Sequence, residues 1–106
     1  MSGADTYRVI LTGDALTDLE RICDCVREDS PQNAATIAES ILTATDSLAF
    51  MPGRYKRVGT SLSRRTPIHT TTDWPFIIYY RVEKIQMAVY ILTIRHGRRR
   101  QPRRFS

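Results

Sequence analysis

Two histidines and several arginines are the residues of this chain whose types could do acid–base or phosphate chemistry. His96 follows Arg95 and shortly precedes Arg98 at the basic C-terminal end. Cleavage of a phosphodiester without a metal needs a group that activates the nucleophile, an acid for the leaving oxygen and cations for the phosphate. His96, Arg95 and Arg98 are therefore the catalytic candidates if the chain is a nuclease. The alternative for His96 is a strand-end histidine that hydrogen-bonds locally or faces solvent, and His69 beside Pro67 is predicted to be a bystander.

Other kinds of site lack their residue patterns in this sequence. No group of His, Cys and carboxylate residues has the spacing of metal ligands, so neither a metal nor another cofactor is expected. The sequence has no glycine-rich phosphate loop and no Ser/His/Asp pattern. Cys23 and Cys25 are two residues apart on a predicted helix, where their side chains diverge, so no disulfide is expected between them.

Charge is distributed unevenly along the 106 residues. Residues 1–53 hold 3 basic and 9 acidic side chains, a net charge of −6, whereas residues 54–106 hold 13 basic and 2 acidic side chains, a net charge of +11. The cations of the second half form a loop group, Arg54, Lys56, Arg57, Arg64 and Arg65, and a tail group, Arg98, Arg99, Arg100, Arg103 and Arg104. Both groups are either solvated surface or a contact for an acidic protein or nucleic acid, and Coulomb attraction alone does not choose between these partners.

Length and composition predict a small soluble protein. One domain is expected at this length, over residues 1–97, followed by a basic tail at 98–106. The 42% content of hydrophobic residues is enough for a core, which argues against global disorder. No run of about 18 apolar residues is present, so no membrane span is predicted. Met1 to Asp5 has neither the basic start nor the apolar stretch of a signal peptide, and we therefore expect a cytoplasmic protein.

The first half of the chain is predicted to form one strand and two helices. Residues 6–12 are rich in β-branched and aromatic side chains, which favours a strand. Thr12-Gly13-Asp14 offers a break and a possible N-cap, and apolar residues at helical spacing from Leu16 onward then predict a helix that ends near Asp29. A second helix is expected to begin at Ser30-Pro31, with Ser30 as N-cap, and to stop at Pro52-Gly53. The short connection makes the two helices an antiparallel hairpin.

The second half is predicted to form a basic loop at 54–63 and three strands. A short strand is expected around 64–71, at an edge or with a bulge because of Pro67. Residues 74–83 and 85–95 are the clearest strands, and the first strand of the chain could join them in parallel. The predicted order is β-α-α-β-β-β, with the helical hairpin packed on a largely antiparallel twisted sheet, which is an α+β architecture.

The two clearest strands are predicted to form a hairpin with its turn at Glu83-Lys84 and with two different faces. The apolar face is expected to pack on the helices: Phe76, Ile78, Tyr80, Val82, Met87, Val89 and Ile91. The mixed face is expected to be exposed or covered by a partner: Ile77, Tyr79, Arg81, Gln86, Ala88, Tyr90, Leu92, Ile94 and His96. Burial of Arg81 without a partner would be costly, so we expect a carboxylate beside it or an open sheet face.

A set of short motifs in fixed order runs through nearly the whole sequence. They are Tyr7-Arg8-Val9, Leu11-Thr12, Ala15, Asp18-Leu19, Ser30-Pro31, Ala34, Leu48, Pro52, Arg54, Arg57-Val58-Gly59, Arg64-Arg65, FIIYYRV at 76–82, VYIL at 89–92 and IRHGRR at 94–99. In this order and spacing, over roughly residues 6–102, the sequence resembles the RelE/ParE superfamily of type II toxin–antitoxin toxins. Within that superfamily it looks like the ParE, or plasmid-stabilisation, branch.

The resemblance implies a toxin that inhibits DNA gyrase and is neutralised by a cognate ParD-like antitoxin, with promoter DNA bound only through the antitoxin. The RelE branch implies an alternative, a ribosome-dependent mRNA endoribonuclease. A second alternative is a non-toxic homologue that acts mainly by binding an antitoxin. Nuclease members tend to carry an Arg near the start of the third strand, where Ile77 stands here, and a Glu in the basic loop or a Tyr at the C-terminus, which this sequence lacks. His96 approximately matches a His of one nuclease subgroup.

Charge pattern and resemblance together give two sets of site residues. The predicted target-binding residues are Arg54, Lys56, Arg57, Arg64, Arg65, Arg98, Arg99 and Arg100. The predicted antitoxin interface is Tyr79, Arg81, Tyr90 and Leu92. Because the expected catalytic partners are missing around the cations, the sequence favours target binding over phosphodiester cleavage.

Overall fold

The computed structural model describes residues 6–60 and 66–97, and they form two helices and a five-stranded sheet. In chain order the elements are β1 (Arg8–Leu11), α1 (Gly13–Asp29), α2 (Pro31–Asp46), β2 (Lys56–Thr60), β3 (Pro67–Asp73), β4 (Phe76–Glu83) and β5 (Ala88–His96), with short 3-10 turns at Ser47–Ala49 and Pro52–Arg54. The strand order is β1-β5-β4-β3-β2, with β1 parallel to β5 and the other pairs antiparallel. The predicted α+β class and parallel first strand are confirmed. No helix within residues 6–60 and 66–97 has the length and hydropathy to cross a membrane.

Helix α1 begins where the sequence predicts, because Thr12 caps it. The Thr12 hydroxyl accepts a hydrogen bond from the amide of Ala15 at 3.3 Å and donates one to the carbonyl of Ile91 on β5 at 2.7 Å. Ser30 is the N-cap residue of α2, as predicted, but its side chain makes no capping hydrogen bond. Instead its amide donates to the carbonyl of Val26 and ends α1, while Pro31 supplies the fixed φ that starts α2.

Helix α2 ends at Asp46, earlier than the predicted stop at Pro52. Side-chain hydroxyls in its last turn bond to helix carbonyls: Thr45 to Leu42 at 2.8 Å and Ser47 to Ala44 at 2.7 Å. Such bonds compete with the regular backbone ladder. The chain therefore tightens into the 3-10 turn at Ser47–Ala49, which carries the buried Leu48 into the core.

The predicted basic loop contains the strand β2, so the sheet has one strand more than expected. β2 pairs with β3, and its register shifts between Arg57 and Gly59. β3 is accordingly an interior strand, so of the two expected alternatives the edge position is wrong, whereas an irregular register does occur in the pairing of β3 with β2. Pro67 is tolerated because it is the first residue of β3, where its missing N–H interrupts no interior part of the ladder.

The β4–β5 hairpin differs from the prediction at its turn and in its register. The connection spans four residues, 84–87, and Met87 adopts a positive φ of 51°. A bulge follows at Leu92, because Tyr79 pairs with Thr93 whereas Tyr80 pairs with Ile91. The bulge reverses the alternation in the second half of β5.

As a consequence, Ile94 and His96 leave the predicted mixed face. Ile94 pairs with Ile78 and His96 pairs with Phe76, on the side that carries the helices. Ile94 belongs to the buried core. Of the predicted apolar face, Phe76, Ile78, Tyr80, Val89 and Ile91 are core residues and Val82 packs against them, whereas Met87 lies in the turn. The core residues are Ala15, Ile41, Leu48, Phe76, Ile78, Tyr80, Val89, Ile91 and Ile94.

Candidate functional site

The predicted target-binding residue Arg54 braces the chain between α2 and β2. Its guanidinium donates to the carbonyl oxygens of Phe50 and Met51, the latter at 3.1 Å, and to that of Ser47 at 3.4 Å. It also donates to the Tyr55 hydroxyl at 3.1 Å and lies over the Tyr55 ring. This hydrogen bond from Arg54 is the main reason why the pKa of Tyr55 is lowered. A cation that satisfies carbonyls after a helix stabilises that terminus, and the guanidinium remains exposed to solvent.

Lys56 and Arg57 form an exposed cationic strip on β2, which is the outer strand of the sheet. The Arg57 guanidinium donates to the Thr60 hydroxyl at 3.5 Å. Successive side chains of a strand alternate between its two faces, so Lys56 and Arg57 carry their charges on opposite sides of the edge strand, next to the exposed Val58. Within the described residues, Lys56 and Arg57 are exposed members of the predicted target-binding set.

The remaining predicted target-binding cations, Arg64, Arg65, Arg98, Arg99 and Arg100, lie outside the described residues. Their proposed role stays a prediction from the sequence.

The nuclease candidates Arg95 and His96 lie at the end of β5 beside α1. His96 contacts Phe76 edge-on, with ring centroids 5.7 Å apart, and Arg95 donates its Nε–H to the Thr93 hydroxyl at 3.1 Å. They line a recess of about 180 Å³ with residues of α1, among them Asp18, Arg21, Ile22, Cys25 and Val26. The sequence did not predict that Asp18 and Arg21 lie beside Arg95 and His96, because this proximity depends on the bulge that turns His96 toward the helices.

His69 takes part in packing. Its ring stacks on Tyr80 at a centroid distance of 5.5 Å, and its Nδ1 lies 3.0 Å from the carbonyl oxygen of Tyr55. The hydroxyl of Tyr80 donates to the carbonyl of Pro52. Burial raises the pKa of Tyr80 well above its ordinary value. The sheet thus holds the segment between α2 and β2 at two points.

The predicted antitoxin-interface residues occupy β4 and β5 on the face opposite the helices. Tyr79 and Arg81 are each only 6% exposed, and burial raises the pKa of Tyr79. Arg81 pairs with the Glu83 carboxylate and lies 4.2 Å from the centre of the Tyr90 ring, so the expected carboxylate partner is confirmed. Tyr90 and Leu92 are half-buried and remain accessible to a partner.

Comparison with known proteins places this architecture in a family. Residues 9–101 match the family described as ParE toxin of type II toxin-antitoxin system, parDE. This chain belongs to the ParE toxin family. It is 36% identical over 92 residues to toxin RelE2 of Caulobacter vibrioides, covering 87% of this chain and 97% of that toxin.

Solved structures share the fold of this ParE-family chain. A chain of the chromosomal ParDE toxin–antitoxin system from P. aeruginosa superposes with a TM-score of 0.67 at 23% identity, covering 87% of this chain and 97% of that one. The toxin–antitoxin complex RelBE2 from Mycobacterium tuberculosis gives a TM-score of 0.55 at 25% identity, covering 86% and 91%. The predicted superfamily is therefore confirmed, with likeness to both of its branches.

Proposed function

We propose that this ParE-family toxin binds and inhibits DNA gyrase in the bacterial cytoplasm and is neutralised by a ParD-like antitoxin. The observation that carries the proposal is the family match over residues 9–101, on a fold that presents Lys56 and Arg57 outward along its edge strand. Two adjacent exposed cations suit an acidic protein surface, because complementary charge steers and orients association. In this mechanism the toxin makes and breaks no covalent bond in its target. It binds another enzyme and stabilises an inhibited state of that enzyme.

The contacts of Arg95 and His96 support binding over catalysis. A general acid or base must lie within hydrogen-bonding reach of the reacting group, and a phosphate-binding cation must face it. His96 contacts the core residue Phe76, and Arg95 directs its Nε–H to Thr93. The contacts of both side chains thus lie within the sheet, His96 with Phe76 of β4 and Arg95 with Thr93 of β5.

An antitoxin partner is supported by the solved relatives, which are toxin–antitoxin complexes. We propose that the antitoxin covers Tyr79, Arg81, Tyr90 and Leu92, and that promoter DNA is bound only through it. Tyr90 and Leu92 supply accessible contact area, whereas Tyr79 and Arg81 shape the surface from beneath. Substitution of Tyr90 and Leu92 by serine is expected to weaken antitoxin binding without unfolding the toxin.

A ribosome-dependent endoribonuclease is the second candidate, favoured by the 36% identity to toxin RelE2 and the likeness to RelBE2. In that case His96, Arg95 and Arg98 would be the catalytic candidates. A non-toxic homologue that acts through antitoxin binding is the third.

One experiment separates these functions. Purified antitoxin-free protein is added to a gyrase supercoiling assay and, separately, to translating ribosomes with primer extension of the mRNA. Loss of supercoiling with intact mRNA supports the proposal, while normal supercoiling with codon-register cuts would replace it by the nuclease function. Absence of both effects, with a stable antitoxin complex, indicates the non-toxic homologue.

The tail is tested in the same assays. We propose that residues 98–106 contribute to target binding, so their deletion should reduce gyrase inhibition more than antitoxin affinity. An equal loss of both would contradict a target-binding tail.

A further inference from the structure

Large apolar side chains are exposed at the end of the sheet where β4 turns into β5. Phe50 is 61% exposed, Met51 is 71% exposed and Ile85 is fully exposed. Met51 and Ile85 line an open groove of about 940 Å³ that also includes Tyr7, Val82 and Lys84, and it is called the turn-end groove below. Single exposed apolar residues are ordinary, but an apolar groove with a polar rim marks a contact surface.

The backbone of Met51 holds its side chain outward at a cost in free energy. Met51 adopts the left-handed conformation, with φ 46° and ψ 55°, which crowds the Cβ of any residue other than glycine. Burial of the side chain does not offset this cost, because Met51 stays mostly in solvent. Strain retained at an exposed position is typical of a functional contact.

The same segment is braced from three sides. Arg54 donates to the carbonyls of Phe50 and Met51, and the Tyr80 hydroxyl donates to the carbonyl of Pro52. The His69 ring contacts the carbonyl of Tyr55 at 3.0 Å. The exposed side chains are therefore presented from a rigid backbone, which lowers the entropy lost when a partner binds.

The charge around the turn-end groove is positive. Arg54 and Lys84 contribute two cations, and the nearby carboxylate of Glu83 is paired with Arg81. Lys56 and Arg57 of the cationic strip follow Arg54 closely along the chain, at the start of β2. A partner that fits this surface carries apolar anchor side chains next to acidic residues.

We infer that the turn-end groove binds an acidic segment of the target protein and takes its apolar anchors between Met51 and Ile85. This rests on the proposed function, in which the toxin acts by binding a protein target. The proposed antitoxin contacts Tyr79, Arg81, Tyr90 and Leu92 do not line the turn-end groove, so target and antitoxin contacts are tested by separate substitutions.

Met51→Gly and Ile85→Ser test the groove. Glycine tolerates the left-handed backbone, so Met51→Gly should fold with an unchanged or higher melting temperature. Each variant is expected to need at least about tenfold more toxin for half-inhibition of gyrase, as at the centre of a protein interface. The antitoxin dissociation constant should change by less than about twofold. Leu16→Ser is the matched control, since Leu16 is a half-exposed apolar residue on α1.

Each alternative outcome has a distinct reading. Unchanged gyrase inhibition by both variants overturns the inference, as does a loss of antitoxin affinity with inhibition retained. A wild-type monomer–dimer equilibrium that Ile85→Ser abolishes, without a change in inhibition, would make a second copy the occupant and also overturn it. If the wild-type chain arrests growth but leaves gyrase active, the proposed function fails. In that case the growth arrest caused by Met51→Gly and Ile85→Ser is compared with that of the wild type. If both variants arrest growth as strongly as the wild type, the inference is overturned. A wild-type chain with neither effect overturns both proposals.

Discussion

The carboxylate of Asp18 on α1 accepts a hydrogen bond from the backbone amide of Ile94 on β5 at 3.1 Å. The same oxygen accepts a second bond from the Thr93 hydroxyl at 2.5 Å. β1 pairs with β5 only as far as Ile91, and Asp18 hydrogen-bonds to the edge of β5 three residues further along, at Ile94. A helix side chain thereby satisfies a strand edge that would otherwise be open to another chain.

Replacement of Asp18 by alanine should destabilise the protein by about 2 kcal/mol, the usual range for hydrogen bonds to a charged group. The free energy of unfolding in urea measures the effect. Glu20→Ala removes the same charge from an exposed position of α1 and should change the free energy by less than about 0.5 kcal/mol. Equal effects of the two substitutions would mean that the bonds to β5 add no stability.

The raised pKa of the buried Tyr80 phenol leads us to expect a loss of stability in alkaline solution. Burial raises its pKa in the folded protein, so the unfolded chain ionises first as pH rises past about 10. The unfolded state then binds fewer protons than the folded state, and the free energy of unfolding falls with increasing pH.

Tyr80→Phe isolates this contribution. At pH 7 it should cost about 1 kcal/mol through the lost hydrogen bond to Pro52. Above about pH 10 the difference in free energy of unfolding between the two proteins should shrink, because only the wild type loses stability through ionisation of Tyr80 in the unfolded chain. Tyr79 and Tyr55 are present in both proteins, so their contributions to the pH dependence cancel. Urea titrations at both pH values measure it, and a difference that is constant with pH would contradict the role of burial.

The pair formed by Arg81 and Glu83 should respond asymmetrically to substitution. The side chains are 7% and 23% exposed, so removal of Glu83 leaves a nearly buried guanidinium without its counter-ion. Glu83→Ala is expected to cost about 2 to 3 kcal/mol, whereas Arg81→Met should be close to neutral because it removes the buried charge itself.

A double-mutant cycle tests the Arg81–Glu83 pair. In the Arg81→Met background, Glu83→Ala should lose most of its effect on the free energy of unfolding. The same cost in both backgrounds would show that Glu83 stabilises the strand independently of Arg81.

The sequence predicts elements that depend on local chemistry. Thr12 next to Gly13 marks the start of α1, and Pro31 marks the start of α2, because capping and fixed φ act within one turn. The alternation of apolar side chains in β4 predicts which of its residues face the core, from Phe76 as far as Tyr80. The carboxylate beside Arg81 follows from the cost of burying a lone cation, and Glu83 is two residues away.

Features that depend on pairing between distant segments were not predictable. The bulge at Leu92 has no glycine or proline to mark it, and Thr93 takes its place against Tyr79 while bonding to Asp18, 75 residues earlier. β2 is an exposed edge strand without an alternation of apolar and polar side chains, so the sequence predicts a loop at this position. The bracing role of Arg54 depends on where α2 stops, which the hydroxyls of Thr45 and Ser47 decide.

The cationic strip on β2 provides the last prediction. Lys56→Glu with Arg57→Glu should raise the toxin concentration for half-inhibition of gyrase by at least about tenfold, since repulsion replaces attraction at an acidic partner. The free energy of unfolding should change by less than about 1 kcal/mol, because both side chains are exposed. Arg21→Glu with Arg27→Glu makes the same change in net charge on α1 and should alter inhibition by less than about twofold. If both double variants weaken inhibition equally, net charge and not the position of Lys56 and Arg57 governs binding. Salt dependence gives a second readout, since added salt should weaken inhibition by the wild type more than by the Lys56→Glu, Arg57→Glu variant.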